Sequence, residues 1–136
     1  MCAHRAERQK NMIIIDTDVL IWVLRGKETW IERFEKMVRD AQGNVFVTAV
    51  QIAEIHAGVR PKETQKVETF LASLRSVDLN DETGRAAGRY MNDYGKSHNV
   101  TLADAFIAAT AVMKNLKLWT SNKKHYPMLD SDNFYE

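Results

Sequence analysis

Short runs of apolar, mostly β-branched residues recur along the chain, and they predict buried strands. The first run, Met12–Ile15, ends at Asp16 and predicts a strand that is buried on both faces. Comparable runs predict further strands at Val45–Val47, at Val77 and Leu79, and at Lys117–Trp119. Short, continuously apolar strands of this kind are typical of parallel sheets.

Between these runs, apolar residues recur every three or four positions, which is the spacing of amphipathic helices. Thr48 and Gln51 have the spacing of a capping box, so a helix is predicted to begin there and to run to Gly58. Thr101 and Asp104 have the same spacing at the start of an apolar helix. The apolar helix that follows Thr101 is predicted at Leu102–Lys114. The other predicted helices are Val19–Leu24, a segment from Ile31 to Ala41 that ends near Gly43, a segment from Val67 to Leu74, and Asp81–Lys96.

Alternating strands and helices predict an α/β sandwich built around a parallel sheet. The chain of 136 residues is long enough for one domain with a core and too short for two ordinary domains. We therefore expect a single domain at residues 12–136. Residues 1–11 are polar and basic, and they are expected to form a disordered N-terminal extension.

Composition narrows the class of protein. The chain is 45% hydrophobic and 27% charged, as in globular proteins, and its apolar runs are too short to span a membrane. Its 19 basic and 18 acidic residues give a net charge of +1, which excludes a strongly basic nucleic-acid coat but not an enzyme that binds phosphates locally. The single Cys2 excludes an internal disulfide, and with no signal peptide it favours a cytoplasmic location.

Three acidic residues stand at or shortly after predicted strand ends. Asp16 directly follows the first strand, and Asp104 lies in the first turn of its helix. Glu54 lies about one and a half turns into the helix that follows Val47. Ligands of open parallel sheets bind at the carboxyl ends of the strands, so the fold can bring these residues together. Two charges about 5 Å apart repel by roughly 3 kcal/mol at an effective dielectric of 20, and Mg²⁺ with phosphate oxygens would offset that cost.

Each carboxylate also has a simpler structural explanation, and the sequence leaves both open. Asp16 can be the N-cap of its helix, and Asp104 can be a capping-box partner of Thr101. Glu54 belongs to a helix that is apolar nearly all round, so we expect its carboxylate to be at least partly buried. A buried glutamate is rare unless it is paired or metal-bound, although a structural salt bridge would also account for it.

Four segments of the chain together resemble the PIN-domain nucleases, and among them the VapC-type toxins. The segments are IIDTDVLIW at 14–22, TAVQIAEIHAG at 48–58, LADAFIAATA at 102–111 and LWTSNKKHY at 118–126. The resemblance runs from Met12 nearly to the C-terminus. It implies a three-layer α/β/α sandwich with a central, mainly parallel sheet.

The resemblance also implies a function. It implies endonucleolytic cleavage of RNA that depends on Mg²⁺ or Mn²⁺, a cognate antitoxin protein as partner and, commonly, a homodimer. Asp16, Glu54 and Asp104 match the family's acidic metal-site positions. The fourth catalytic position, often Asp in the wider family, is Asn122 here, which keeps an oxygen acceptor and removes one negative charge. The number of bound metal ions is therefore open.

Other polar residues of these segments have two interpretations. Thr120 falls where the family has a small hydroxyl residue near the site, but it can equally be a surface residue at a strand end. Thr48 can hydrogen-bond an active-site carboxylate or only cap its helix. Asp18 is expected at the helix start, where the helix dipole favours an anion. We assign Lys123, Lys124 and His125 to a solvated loop, with RNA phosphates as the alternative, and Trp22, Trp30 and Trp119 to the core or an interface.

Two other functions are compatible with parts of the sequence. A haloacid-dehalogenase-like phosphatase also has Asp-x-Asp after a hydrophobic strand, as Asp16 and Asp18 are here. That class has glycine and threonine next and a later Gly-Asp-x-x-x-Asp motif, whereas this chain continues Val-Leu-Ile-Trp and lacks the motif. The other alternative is a non-catalytic PIN-like interaction module that has lost its metal site, and the presence of all three acidic positions argues against it.

Overall fold

The computed structural model describes residues 12–136, so the predicted extension at residues 1–11 lies outside the described residues. The strands are β1 (Ile13–Ile15), β2 (Val45–Val47), β3 (Arg75–Ser76) and β4 (Lys117–Trp119). The α-helices are α1 (Thr17–Leu24), α2 (Glu28–Asp40), α3 (Ala49–Gly58), α4 (Thr64–Ala72), α5 (Asp81–His98) and α6 (Leu102–Met113). Short 3₁₀ turns occupy Pro61–Glu63, Lys123–His125 and Ser131–Asn133.

The four strands form one parallel sheet in the order β3-β2-β1-β4, with β1 and β2 in the centre. The register pairs Ile15 with Trp119, so β1 and β4 end at the same level. The backbone N–H of Asp16 donates to the Trp119 carbonyl over 2.9 Å. The residues that follow these two strands therefore leave the sheet side by side at its carboxyl edge.

Alternation along β1 divides the core into two layers. Ile13 and Ile15 pack in one apolar cluster with Leu20 of α1 and Met37 of α2, and residues of α3 and α4 complete that cluster. Ile14 packs in a second cluster with Ile107 of α6. Because successive side chains of a strand point to opposite faces, helices cover both sides of the sheet. The predicted three-layer α/β/α sandwich is confirmed.

Helix α6 is fixed in place by close packing against α5. Ala86 and Ala87 of α5 are buried against Ala105 and Ala109 of α6. Alanine side chains let two helix backbones approach closely, so the position of α6 is well determined. This packing sets where the first turn of α6, which carries Asp104, meets the edge of the sheet.

Several predicted boundaries differ from the structure, and two of the differences have a clear physical reason. Strand β3 lies at Arg75–Ser76 rather than at Val77 and Leu79, because Arg75 and Ser76 are the residues that pair with β2. Val77 follows the strand and packs its side chain against the second cluster, which accounts for its apolar character. Helix α1 begins at Thr17, before the predicted start, because Asp16 caps it. Among residues 12–136 no helix is both long and apolar enough to cross a membrane.

Candidate active site

Asp16 lies at the centre of the carboxyl edge of the sheet and caps α1. Its Oδ1 accepts a hydrogen bond from the backbone N–H of Thr17 over 2.8 Å. Its Oδ2 accepts one from the hydroxyl of Thr120, the residue after β4, over 2.7 Å. Thr120 thus contacts the candidate site, and the two bonds hold the Asp16 carboxylate in one orientation.

Burial makes the charge of Asp16 costly. Asp16 is only 5% exposed. Burial, followed by the charge of Asp18, raises the pKa of the Asp16 carboxyl to about 6, although hydrogen bonds from Thr120, Tyr126 and Thr17 oppose the rise. The ion pairs formed among residues 12–136 are Lys36–Asp40, His56–Glu68 and Lys123–Glu136, so none of them neutralises Asp16. A bound cation would compensate this charge.

Glu54 is connected to Asp16 through a single residue. The Thr17 hydroxyl donates to Glu54 Oε1 over 2.6 Å, while the Thr17 backbone N–H binds Asp16. The expectation that Glu54 is at least partly buried is wrong, because its side chain is exposed. The helix looks apolar all round because of small residues, and Ala53 and Ala57 lie exposed beside Glu54.

Gln51 anchors the helix that carries Glu54. Its side chain is fully buried, and its Nε2 donates to the Ile15 carbonyl at the end of β1 over 3.0 Å. The predicted capping box is confirmed: Gln51 Oε1 accepts from the Thr48 N–H over 3.0 Å. Thr48 is a capping residue here, since its hydroxyl bonds Gln51 and accepts from Val50. Gln51 therefore ties the first turn of α3 to the strand that delivers Asp16.

Asp104 approaches the site from the opposite layer. The Thr101 hydroxyl accepts from the Asp104 N–H over 3.1 Å, so Thr101 caps α6. In a complete capping box the Asp104 carboxylate would also accept from the Thr101 N–H. The cap of this helix lacks that bond, and the carboxylate instead accepts from the Tyr126 hydroxyl over 3.4 Å. Its side chain is half-buried. Asp104 is thus directed towards Tyr126 rather than back to its own helix.

Tyr126, like Thr17, is a residue of the site that the sequence did not single out. It is buried, and burial together with the charges of Asp16 and Asp104 raises the pKa of its hydroxyl far above the ordinary value. The hydroxyl therefore remains protonated and acts as a hydrogen-bond donor. The hydroxyl donates to Asp104 and also opposes the rise in the pKa of Asp16, so Tyr126 interacts with both carboxylates. Neither the spacing nor the periodicity of the sequence around Tyr126 distinguishes it from a tyrosine of the core.

Asn122 and Asp18 lie at the margin of this cluster. The Asn122 backbone N–H donates to the Thr120 hydroxyl over 3.1 Å, and its side-chain amide contacts His125 Nε2 at 3.0 Å. Asp18 lies in the first turn of α1 as expected, where it accepts from the Val19 N–H over 2.7 Å and from the Ser121 hydroxyl. Asp18 therefore has structural bonds of its own and also adds negative charge beside Asp16.

The donor chemistry of the cluster suits Mg²⁺ or Mn²⁺. Within residues 12–136, no three His, Cys, Asp or Glu side chains converge closely enough to form a ready-made metal cage. Mg²⁺ does not need such a cage, because it binds through one or two carboxylates and keeps several waters. Asp16 and Asp104 offer hard oxygen donors near Tyr126, and Glu54 offers an exposed carboxylate that bonds Thr17, the neighbour of Asp16. These residues fit a hydrated divalent cation.

A family model and a related protein both match most of this chain. A family model described as "PIN domain" matches residues 13–128. Ribonuclease VapC10 of Mycobacterium tuberculosis (strain ATCC 25618 / H37Rv) is 37% identical over 123 residues, which cover 88% of this chain and 89% of that protein.

Solved structures share the same architecture. A toxin–antitoxin complex from Klebsiella pneumoniae contains a chain with a TM-score of 0.71 and 18% identity, covering 90% of this chain and 99% of that one. VapBC2 from Rickettsia felis, bound to a DNA fragment from their promoter, gives a TM-score of 0.71 at 18% identity and covers 91% of this chain and 96% of that one. At these identities the structural neighbours establish the fold.

Proposed function

This chain belongs to the PIN domain family, among its VapC-type members, and we propose that it is a metal-dependent endoribonuclease that acts as a toxin. The observation that carries the proposal is the buried, uncompensated carboxylate of Asp16, with Glu54 and Asp104 each one residue away through Thr17 and Tyr126. A divalent cation stabilises negative charge that is gathered in this way, and the same cation can bind a substrate phosphate.

Asp16, Glu54 and Asp104 are the residues that would hold the cation. A bound Mg²⁺ or Mn²⁺ supplies Lewis-acid polarisation of a phosphodiester oxygen and lowers the pKa of a coordinated water. Thr120 and the Thr17 N–H keep the Asp16 carboxylate oriented before the cation arrives. This preorganisation reduces the rearrangement that binding would otherwise require.

The exposed carboxylate of Glu54 would help to hold the cation through a coordinated water, which it also orients. Its Oε1 is held by Thr17, which leaves Oε2 to accept a hydrogen bond from an attacking water. Tyr126 donates to Asp104 and keeps that side chain turned towards Asp16. Asn122 contributes a neutral amide at the same edge, so the fourth position adds polarity without a fourth negative charge. We propose it as a polar substrate contact.

The phosphatase alternative receives no support. In that mechanism Asp18 would be a general acid, whereas both of its oxygens accept hydrogen bonds, one from Val19 N–H and one from Ser121. A protein without catalytic activity is also disfavoured, because Asp16 is buried at a cost that a scaffold alone would not need.

We propose an antitoxin protein as the partner, and a second copy of this chain as a further one. The structural neighbours include a toxin–antitoxin complex and VapBC2, and a toxin of this kind needs an inhibitor in the same cell. Because the proposed substrate is cellular RNA, we propose the cytoplasm as the site of action.

Expression in a bacterial host tests the proposal. We expect the parent to arrest growth and to generate new RNA ends in total cellular RNA, and Asp104→Asn to do neither, because it removes a cation ligand with little change in shape. Asp93→Asn, an exposed position on α5, is the matched control and should behave as the parent. Co-expression of the antitoxin encoded beside the gene should restore growth. Normal growth without new RNA ends, at equal soluble expression of the parent, would contradict the proposal.

A further inference from the structure

A groove opens beside the candidate active site, between α2 and the segment that follows β4. Its volume is about 390 Å³, which is within the range of about 300–1,000 Å³ typical of small-molecule sites. Thr120 and Ser121 line it, and these residues also bind Asp16 and Asp18. Any molecule in this groove is therefore one residue away from the proposed metal site.

One wall of the groove is an aromatic and cationic platform. Trp30 of α2 lines the groove, and its ring packs on that of Trp119 with centroids 6.0 Å apart. The guanidinium carbon of Arg33 lies 4.9 Å from the centroid of the Trp30 ring. Unpaired RNA bases stack on aromatic rings and on arginine guanidinium planes, so the Trp30–Arg33 pair is suited to a nucleobase.

The opposite wall carries a cation with a weakly held partner. Lys123 lines the groove and forms an ion pair with Glu136, and the two side chains are 51% and 68% exposed. Exposed ion pairs of this kind contribute little stability. An incoming phosphate can therefore replace the Glu136 carboxylate on Lys123 at small cost.

We propose that this groove binds the nucleotide adjacent to the scissile phosphate of the RNA substrate. The base stacks on the Trp30–Arg33 pair, and the backbone phosphate displaces Glu136 from Lys123. The occupant is RNA because an aromatic platform and two cations lie in one groove that continues into the carboxylate cluster. The inference rests on the proposed ribonuclease function and adds the location of a substrate subsite.

Fluorescence anisotropy with short RNA tests the groove directly. The probe is a pool of fluorescein-labelled, single-stranded ten-nucleotide RNAs, and the protein carries Asp104→Asn so that the probe is not cut. We expect Arg33→Ala and Lys123→Ala each to weaken binding at least about fivefold, with loss of a stacked or charged contact. Lys123→Ala should also reduce the slope of log K against log salt by about 0.7, as expected for one phosphate contact to a single strand.

We expect Glu136→Gln to have the opposite effect on RNA affinity. Removal of the competing carboxylate should tighten RNA binding about two- to threefold, and the gain should vanish when Lys123→Ala is also present. Arg39→Ala removes the same charge from an exposed position on α2 outside the groove, so it should leave the affinity within twofold of the parent. Circular dichroism of each variant checks that the exposed substitutions preserve the fold.

The outcomes separate this inference from the proposed function. Equal affinities for Arg33→Ala, Lys123→Ala and Arg39→Ala would overturn the subsite, even if the parent cleaves RNA. Weakened binding by the two groove variants alone would support the groove as the RNA-binding subsite. If the parent then failed to cleave RNA, the groove would remain an RNA-binding surface and the proposed function would be contradicted.

Discussion

Asp16 is the residue on which the chemistry of the site depends. It keeps two hydrogen bonds that favour its charged form, from Thr17 and Thr120, yet burial and the charge of Asp18 still raise its pKa to about 6. In the absence of a cation, the folded protein therefore binds a proton at Asp16 more tightly than the unfolded chain does. The stability of the metal-free protein should depend on pH for this reason.

We predict that Asp16 makes the metal-free protein less stable as pH rises. The folded-state pKa of about 6 lies above the ordinary aspartate value of 3.8, so the contribution to stability is greatest below pH 3.8 and is lost as pH rises through 6. The loss is up to about 3 kcal/mol of unfolding free energy. Urea denaturation in EDTA, from pH 4 to 7, gives the unfolding free energies of the parent and of Asp16→Asn. The difference between these two free energies should change with pH by that amount. Saturating Mg²⁺ should stabilise only the parent at neutral pH, and a pH-independent difference would refute the assignment.

Some residues of the site can be predicted from the sequence and others cannot. Asp16 and Asp104 are predictable as neighbours, because Asp16 follows the end of a strand and Asp104 lies at the start of a helix. A parallel sheet places strand ends and helix starts at the same edge. Tyr126 is not, because it approaches along an irregular segment that lacks periodicity. The exposure of Glu54 is missed because alanines count as apolar whether or not a neighbouring element covers them.

Helix α3 shows how one element transmits order to the site. Its buried Gln51 bonds the carbonyl of Ile15 and the N–H of Thr48, so the helix is tied both to β1 and to its own first turn. Glu54 lies one turn later on the same helix and bonds Thr17. The orientation of Glu54 towards Asp16 therefore depends on the anchoring of α3.

We predict that Gln51→Leu lowers the free energy of unfolding by about 2–4 kcal/mol, because it leaves buried polar groups at Ile15 and Thr48 without their partner. Chemical denaturation measures the loss. Gln65→Leu, at an exposed position on α4, is the control and should change stability by no more than about 0.5 kcal/mol. A loss below about 1 kcal/mol for Gln51→Leu would show that the buried amide is not an anchor.

Elements differ in how well the sequence predicts them. Helices α3 and α6 are predictable because a capping residue and an apolar run mark them locally. Strand β3 is not, because its two exposed residues are in a strand only through pairing with β2. Such pairing is a long-range property, and the apolar Val77 that follows it satisfies a different contact.

At the scale of the whole molecule, the sheet and its two helical layers bring distant segments to one edge. Asp16 directly follows β1, Thr120 directly follows β4, and Asp104 lies on α6, which packs against α5. The strand order β3-β2-β1-β4 is the feature that makes β1 and β4 neighbours. Local patterns predict the class of fold, whereas this order follows from how the layers pack.

The most direct test of the account is the rate at which the purified protein cleaves single-stranded RNA at neutral pH with Mg²⁺ and with EDTA. We predict that the protein cleaves RNA with Mg²⁺ and does not cleave it with EDTA. Glu54→Gln should lower the cleavage rate at least about 100-fold, which is equivalent to about 2.7 kcal/mol of transition-state stabilisation. Glu35→Gln, at an exposed position on α2, should cleave as the parent does. Undiminished cleavage by a folded Glu54→Gln protein, or cleavage that persists in EDTA, would contradict a metal-dependent site built on these carboxylates.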